Sequence, residues 1–107
     1  RKDFSGYISE KALRYLNFDC CFIGADGIDI QEGIMAADID TLRFDELLIK
    51  KSANAVILAD SSKFQNRSFI SYSSVHDISM IITDDHLPSA VKSEYAQVGV
   101  TIVCVPT

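Results

Sequence analysis

Three short apolar segments of this chain each lead directly into a polar loop, and this pattern limits the fold more than any other feature of the sequence. The loops are Gly24–Asp29, Asp60–Phe64 and Thr83–Asp85. Short apolar segments bounded in this way are typical of buried strands. If the three are parallel strands of one sheet, their loops open together at its carboxyl edge, where open α/β sheets bind ligands. The sequence therefore predicts a site for a small, polar, anionic metabolite at that edge.

Helical and strand-like patterns alternate along the whole chain. We predict helices over 9–17, 41–53 and 88–98, strands over 20–25, 55–59, 78–82 and 100–105, and shorter strands or connectors over 33–37 and 69–72. Such alternation predicts right-handed βαβ units. The strand over 55–59 is apolar at every position, which is typical of a sheet covered by helices on both faces. The predicted fold class is a three-layer α/β domain with a mainly parallel sheet.

The composition argues against several classes of protein. The 107 residues are 48% hydrophobic and 23% charged, as in a single globular domain. The net charge is −5 and the Lys and Arg residues are scattered, so this chain alone is not expected to bind nucleic acid. No apolar stretch approaches the roughly 20 residues that span a bilayer. The three cysteines fall in predicted strands and are interpreted as buried free thiols in a reducing cytoplasm.

No metal site, cofactor site or catalytic group is predicted from the motifs. His76 and His86 lie in separate loops without a further ligand at metal-binding spacing. The sequence contains no dinucleotide or phosphate-loop fingerprint and no nucleophile elbow. Four acidic residues near the second helix are interpreted as a solvated face, unless one of them turns toward the strand ends. They are Asp38, Asp40, Asp45 and Glu46.

The loop after the first strand contains Gly24, Ala25, Asp26 and Gly27. Glycines after a strand allow a positive φ and let a ligand approach backbone N–H groups closely. A plain turn with a solvated aspartate would show the same pattern. The loop is therefore a candidate binding site because it follows a predicted buried strand. The spacing of its two glycines alone would not make it one.

The loop after the second strand offers a cation. Lys63 could lie over an anion, with the Ser62 hydroxyl and turn amides as further donors. A surface lysine beside a helix cap is the competing interpretation. In the third loop, Asp84 and Asp85 precede Pro88 and are interpreted as the N-terminal cap of the last helix.

Taken together, these loops resemble the effector-sensing domain of the DeoR family of bacterial transcriptional regulators. The matching segments are Phe18–Asp19, Phe22–Asp29 with Gly33, Leu58–Phe64 and Ile81–Asp84. The order and spacing fit from about Gly6 to Val105, and three motifs in order are fairly specific.

The resemblance implies a fold related to ribose-phosphate isomerases, glucosamine-phosphate deaminases and CoA transferases. It also implies that Gly24–Gly27 and Lys63 line a pocket for a phosphorylated sugar, with Lys63 facing the sugar or its phosphate. Full-length members carry an N-terminal winged helix-turn-helix, so operator DNA would be bound only through a module absent from this chain. The resemblance thus implies a cytoplasmic repressor of sugar metabolism that needs no cofactor and does not contact a membrane.

The chain departs from the family pattern because it is shorter than the family's full sensing domain. Residues 1–107 are expected to form a single domain, the C-terminal two-thirds of the sensing domain, without its early phosphate-cradling loop. An open sheet edge or an uncovered apolar face would follow, and such surfaces tend to pair. We therefore expect a homo-oligomer, most simply a symmetric dimer.

Two other functions compete with sensing. One is a sugar-phosphate isomerase or deaminase, because the related isomerases need an acidic base near Asp45 or Glu46. Those isomerases also carry an aspartate where this chain has Ile23, which favours sensing over turnover. The other is a protein-interaction domain with a vestigial pocket.

Overall fold

The fold consists of a four-stranded parallel sheet and a smaller three-stranded antiparallel sheet. It is seen in a computed structural model that describes residues 15–68 and 70–107. In chain order the elements are β1 (Phe18–Gly24), β2 (Gly27–Asp29), β3 (Gly33–Ala36), α1 (Ile39–Lys50), β4 (Ser52–Leu58), a 3₁₀ turn (Ser61–Gln65), β5 (Ile70–Ser73), a second 3₁₀ turn (Val75–Asp77), β6 (Met80–Asp84), α2 (Ser89–Gln97) and β7 (Thr101–Val105). The mainly parallel α/β architecture predicted from the sequence is confirmed. The helix predicted over 9–17 falls mainly outside the described residues.

The boundary between α1 and β4 differs from the prediction. The helix ends at Lys50, and the next strand already begins at Ser52. Ser52 and Asn54 pair with β1, and the Ser52 hydroxyl donates to the Leu48 carbonyl at 2.7 Å. The first, polar residues of this strand were missed because a search for apolar runs does not detect a strand that is held by backbone hydrogen bonds.

The interpretation of Asp84 and Asp85 as a helix cap is wrong. The N-cap of α2 is Pro88, which makes no side-chain capping hydrogen bond. Asp84 instead accepts hydrogen bonds from the backbone N–H groups of Ser61 and His86. At the other end of α2, the C-cap is Val98, and Gly99 just after it has φ of 89°, the left-handed conformation that commonly ends a helix.

The four parallel strands lie in the order β1-β4-β6-β7. Each crossover connection therefore leads to the adjacent strand, always toward the same edge of the sheet. Because parallel crossovers are right-handed, the connecting elements all lie on one face of the sheet. A row across that face is almost fully buried, formed by Ile23, Ile57, Ile81 and Ile102. They share one core with α1, α2 and the small sheet.

The opposite face, which we call the outer face, is covered by no element among the described residues. Its exposed large hydrophobic side chains are Phe22, Leu58, Val103 and Val105, with exposures of 61%, 45%, 36% and 42%. Among the described residues, helices cover one face only, as expected for an uncovered apolar face, and helical cover of the other face stays a prediction. An apolar run signals a hydrophobic strand, whereas the direction of the crossovers decides which face is covered.

Strands β3 and β5 of the small sheet were predicted as uncertain short segments, whereas β2 lies within the predicted loop Gly24–Asp29. Strands β3 and β5 pair antiparallel, and Ile28 and Ile34 anchor the sheet in the core with no exposed surface. Gly33 has φ of 92°, and a Cβ there would lie 2.1 Å from the Ser73 carbonyl oxygen, so only glycine fits. Three- and four-residue strands carry too little periodicity to be predicted reliably.

The cysteines are less uniformly buried than predicted. Cys21 is buried and Cys104 half-buried, but Cys20 is exposed on the outer side of β1. In the described ranges, no helix is long and apolar enough to cross a membrane.

Candidate functional site

The carboxyl ends of β1 and β4 lie side by side, since Gly24 pairs with Leu58. A cavity of about 370 Å³ opens where these strands end, and we call it the strand-end pocket. Its described lining is Gly24, Ala25, Asp26, Ala36, Thr41, Asp45, Leu58, Ala59, Asp60 and Lys63. The sheet therefore brings together the two polar loops that the sequence singled out, at the edge where parallel sheets bind ligands.

Four of the six predicted binding residues line this pocket, namely Gly24, Ala25, Asp26 and Lys63. The other two do not. Gly27 is buried in β2, where a Cβ would lie 2.7 Å from the Asn66 carbonyl oxygen, so its packing requires glycine. At Gly24 the nearest atom to such a Cβ would be the Leu58 carbonyl oxygen at 3.9 Å, which leaves space open to the pocket.

Asp26 connects the first loop to the small sheet. Its Oδ2 accepts a hydrogen bond from the Ala37 N–H at 2.9 Å, and its own N–H donates to the Met35 carbonyl at 3.0 Å. Among the described residues, the other carboxylate oxygen makes no hydrogen bond. That oxygen can accept a hydrogen bond from a ligand hydroxyl.

Helix α1 contributes an acidic group that the sequence analysis did not place. Asp45 is only 3% exposed and lines the pocket, together with Thr41 one turn earlier. Glu46 lines a different cavity, so Asp45 is the one of these two acids that lies at the strand-end pocket. The interpretation as a solvated face is wrong for Asp45. The missed signal was its spacing from Leu42 and Ile49, which places it on the buried face of the helix.

The 3₁₀ turn Ser61–Gln65, which we call the lysine turn, is stabilised at its start by Asp60. The Asp60 carboxylate accepts hydrogen bonds from both the hydroxyl and the N–H of Ser62. The hydrogen bond from the hydroxyl, and next that from the N–H, hold the pKa of Asp60 below its usual range. The Ser62 hydroxyl therefore binds the Asp60 carboxylate, and Ser62 lines a different cavity from the strand-end pocket.

The charges of the strand-end pocket are mixed. Lys63 is the one cation among the described lining residues, beside the carboxylates of Asp26, Asp45 and Asp60. A lysine ammonium suits an anionic group, and carboxylates accept hydrogen bonds from hydroxyl groups. Within the described ranges, no group of three or more His, Cys, Asp or Glu side chains is arranged to hold a metal ion. The pocket thus suits a ligand with one anionic end and several hydroxyls.

The described residues form two further cavities away from the strand-end pocket. A larger one, of about 710 Å³, lies at the amino end of the parallel strands and includes Glu46, Lys50 and Ser52. Size alone would favour it, but it lies at the opposite edge from the one where parallel sheets bind ligands. The other, of about 370 Å³, lies between the lysine turn and α2 and includes Ser62 and Tyr95.

The aromatic ring of Tyr95 connects the lysine turn to α2. Its ring packs edge-to-face on Phe64 with centroids 5.5 Å apart. Burial, together with the negative charges of Asp29 and Glu94, raises the pKa of Tyr95, so the phenol remains protonated. The lysine turn is therefore in contact with a helix as well as with the sheet.

Comparison with known proteins gives a consistent result. The sequence model of the DeoR C-terminal sensor domain matches residues 1–85, which include all three strand-end loops. The HTH-type transcriptional regulator GlpR of Haloferax volcanii is 34% identical over 102 residues, which are 95% of this chain and 40% of that protein. A putative aga operon transcriptional repressor of Escherichia coli O157:H7 is 28% identical over 97% of this chain and 39% of its own length.

A third relative is also named as a transcriptional regulator. It is the uncharacterized HTH-type transcriptional regulator YulB of Bacillus subtilis, 32% identical over 94% of this chain and 40% of its own length. The chain thus spans about 40% of the length of these curated relatives.

Proposed function

The chain belongs to the DeoR C-terminal sensor domain family, and on that premise we propose that it senses a phosphorylated sugar for a transcriptional repressor of sugar metabolism. One observation supports this function above others. The parallel pairing of β1 with β4 brings Gly24–Asp26 and Lys63 to a single pocket.

The chemistry of the pocket supports a bipartite ligand. In this proposal, Lys63 binds the phosphate, whereas Asp26 and Asp45 accept hydrogen bonds from sugar hydroxyls. A charge-assisted contact contributes on the order of 1.5–3 kcal/mol, or roughly 10- to 150-fold in affinity. Gly24 leaves room for the ligand, and Gly27 and Ser62 act indirectly, by fixing the two loops.

The effector would act by changing an equilibrium. A ligand shifts a protein between DNA-binding and released states only if its affinity for the two states differs. Operator DNA would be contacted through an N-terminal helix-turn-helix, in a cytoplasmic homo-oligomer. As part of the same proposal, the fold is related to those of ribose-phosphate isomerases and CoA transferases.

Catalysis is the second candidate, because Asp45 lies buried in the same pocket as Lys63. Position 23 argues against it. The related isomerases carry an aspartate there, whereas Ile23 is 4% exposed and packs in the core. We therefore expect no turnover of pentose or hexose phosphates, and a coupled assay should remain at background. Turnover that disappears in Lys63→Ala would establish the enzyme instead.

The binding test compares two lysines. Calorimetric titration with ribose 5-phosphate, glucose 6-phosphate, fructose 6-phosphate and inorganic phosphate is carried out on the wild type, Lys63→Ala and Lys92→Ala. Lys92 is exposed on α2 and lines none of the cavities described above. We expect binding of at least one sugar phosphate to weaken roughly 10- to 150-fold in Lys63→Ala and to be unchanged in Lys92→Ala. Equal affinity in all three proteins would remove Lys63 from the site.

A further inference from the structure

The carboxylate of Asp84 joins two loops that follow different strands. Asp84 is the last residue of β6, and its side chain is 14% exposed. Its Oδ2 accepts a hydrogen bond from the Ser61 N–H at 2.9 Å. Its Oδ1 accepts one from the His86 N–H, also at 2.9 Å. Ser61 begins the lysine turn, and His86 lies in the loop before α2.

The bond to Asp84 is the main polar attachment of the lysine turn to the sheet. Other hydrogen bonds of the turn are internal, from the Lys63 N–H to the Asp60 carbonyl and from Ser62 to the Asp60 carboxylate. Just before the turn, the Ala59 N–H donates to the Ile82 carbonyl at 3.1 Å. Among the described residues, the hydrogen bonds that connect the turn itself to a neighbouring strand all go to the Asp84 carboxylate, which the Ser61 side chain also contacts.

The attachment is charge-assisted. The hydrogen bond from the Ser61 N–H, and next that from the His86 N–H, hold the pKa of Asp84 below its usual range. The carboxylate is therefore ionised at neutral pH, and hydrogen bonds to an ionised acceptor are stronger than those between neutral groups. The His86 ring lies near the same carboxylate, with Nδ1 at 3.7 Å from Oδ1.

We propose that Asp84 is the positioning residue for Lys63, and this inference rests on the function proposed above. Lys63 lies two residues after Ser61, on a turn of five residues with no buried side chain. Holding Ser61 in place therefore restricts where the ammonium group can lie. Fixing a binding group before the ligand arrives raises affinity, because less conformational freedom is lost on binding.

The test compares neighbouring aspartates. Asp85 is exposed, accepts a hydrogen bond from the Thr107 hydroxyl at 3.1 Å, and does not line the strand-end pocket. For the tightest-binding sugar phosphate in the titration above, we expect Asp84→Ala to weaken binding roughly 10-fold and Asp85→Ala to leave it unchanged. Asp84→Asn keeps one acceptor oxygen and should fall between the wild type and Asp84→Ala.

A double-mutant cycle separates positioning from general destabilisation. In a Lys63→Ala background, Asp84→Ala should cause no further loss of affinity, because the ammonium to be positioned is gone. An equal loss in both backgrounds, or wild-type affinity in Asp84→Ala, would overturn the inference. Wild-type affinity in Lys63→Ala would instead refute the proposed function.

A second measurement needs no ligand. Amide hydrogen exchange at Ser61, Ser62 and Lys63 should become faster in Asp84→Ala, while exchange in the β4 core at Ile57 stays slow. Asp84→Asn should give an intermediate rate, which serves if the alanine variant folds poorly. Unchanged exchange across the turn would overturn the positioning role, whatever the titrations show.

Discussion

The two faces of the parallel sheet are made from the same strands, yet they have very different surroundings. Ile57 and Leu58 are adjacent in β4, but Ile57 has no exposed surface and Leu58 is 45% exposed. Both are large aliphatic residues, so composition does not distinguish them. The difference comes from crossovers that all pass over one face. It teaches that burial in this domain is decided by strand order more than by hydrophobicity.

The strongest test of this comparison is a pair of truncations. Ile57→Ala should lower the free energy of unfolding by about 2–5 kcal/mol, because it removes fully buried methyl groups and leaves a cavity. Leu58→Ala removes a partly exposed side chain and should cost less than about 1 kcal/mol. Urea unfolding monitored by circular dichroism measures both. Similar losses would mean that the outer face is buried in solution.

The outer face should matter more for association than for stability. We propose that this chain self-associates through it, because contiguous exposed apolar surface tends to be covered by a partner. Phe22→Ala should then weaken self-association roughly 30-fold, as for an aromatic anchor contributing about 2 kcal/mol. Ile39→Ala is the control, since Ile39 is similarly exposed, at 58%, but lies on α1. Sedimentation velocity that shows a monomer at every concentration would exclude this role.

Two threonines, one buried and one exposed, test the same difference between positions with a smaller expected change in stability. Thr83 is 3% exposed in β6, and its hydroxyl has no hydrogen-bond partner among the described residues. A buried hydroxyl without a partner is costly, so Thr83→Val should raise the free energy of unfolding by about 1 kcal/mol. Thr101 is exposed in β7, and Thr101→Val should change stability by less than about 0.5 kcal/mol. A destabilised Thr83→Val would indicate that the hydroxyl is satisfied in solution.

The smallest expected effect is a pH dependence at the carboxyl edge. The pKa of Asp84 is lowered in the folded chain from its ordinary value of 3.8. Its stabilisation is therefore fully present above that value and is lost as the pH falls through the lowered folded-state pKa. Thermal unfolding followed from about pH 5 to pH 2 should show a shallower decline for Asp84→Asn than for the wild type. Identical profiles would mean that the Ser61 and His86 contacts do not form in solution.

The sequence predicted those features that depend on local pattern and on the parallel direction of consecutive strands. Alternation of helix and strand predicted the parallel sheet, and loops after apolar runs predicted the meeting of Gly24–Asp26 with Lys63. It left Asp45 as a conditional candidate among four acids, because a charged residue within an apolar helical stripe looks like a solvated group until its neighbours are known. It also misassigned Asp84, whose partner Ser61 lies 23 residues away. Spacing along the chain does not indicate such contacts.

The lysine turn has a consequence for how ligands could influence each other. Ser62 and Lys63 are neighbours in sequence, but they face separate cavities on the two sides of that turn. A molecule bound in either cavity would restrict the motion of the same five residues. Whatever conformational freedom the Asp84 contact leaves in the turn would be lost only once, so the second molecule would bind more favourably. Two ligands that never touch could thereby bind cooperatively, without any change in the average shape of the domain.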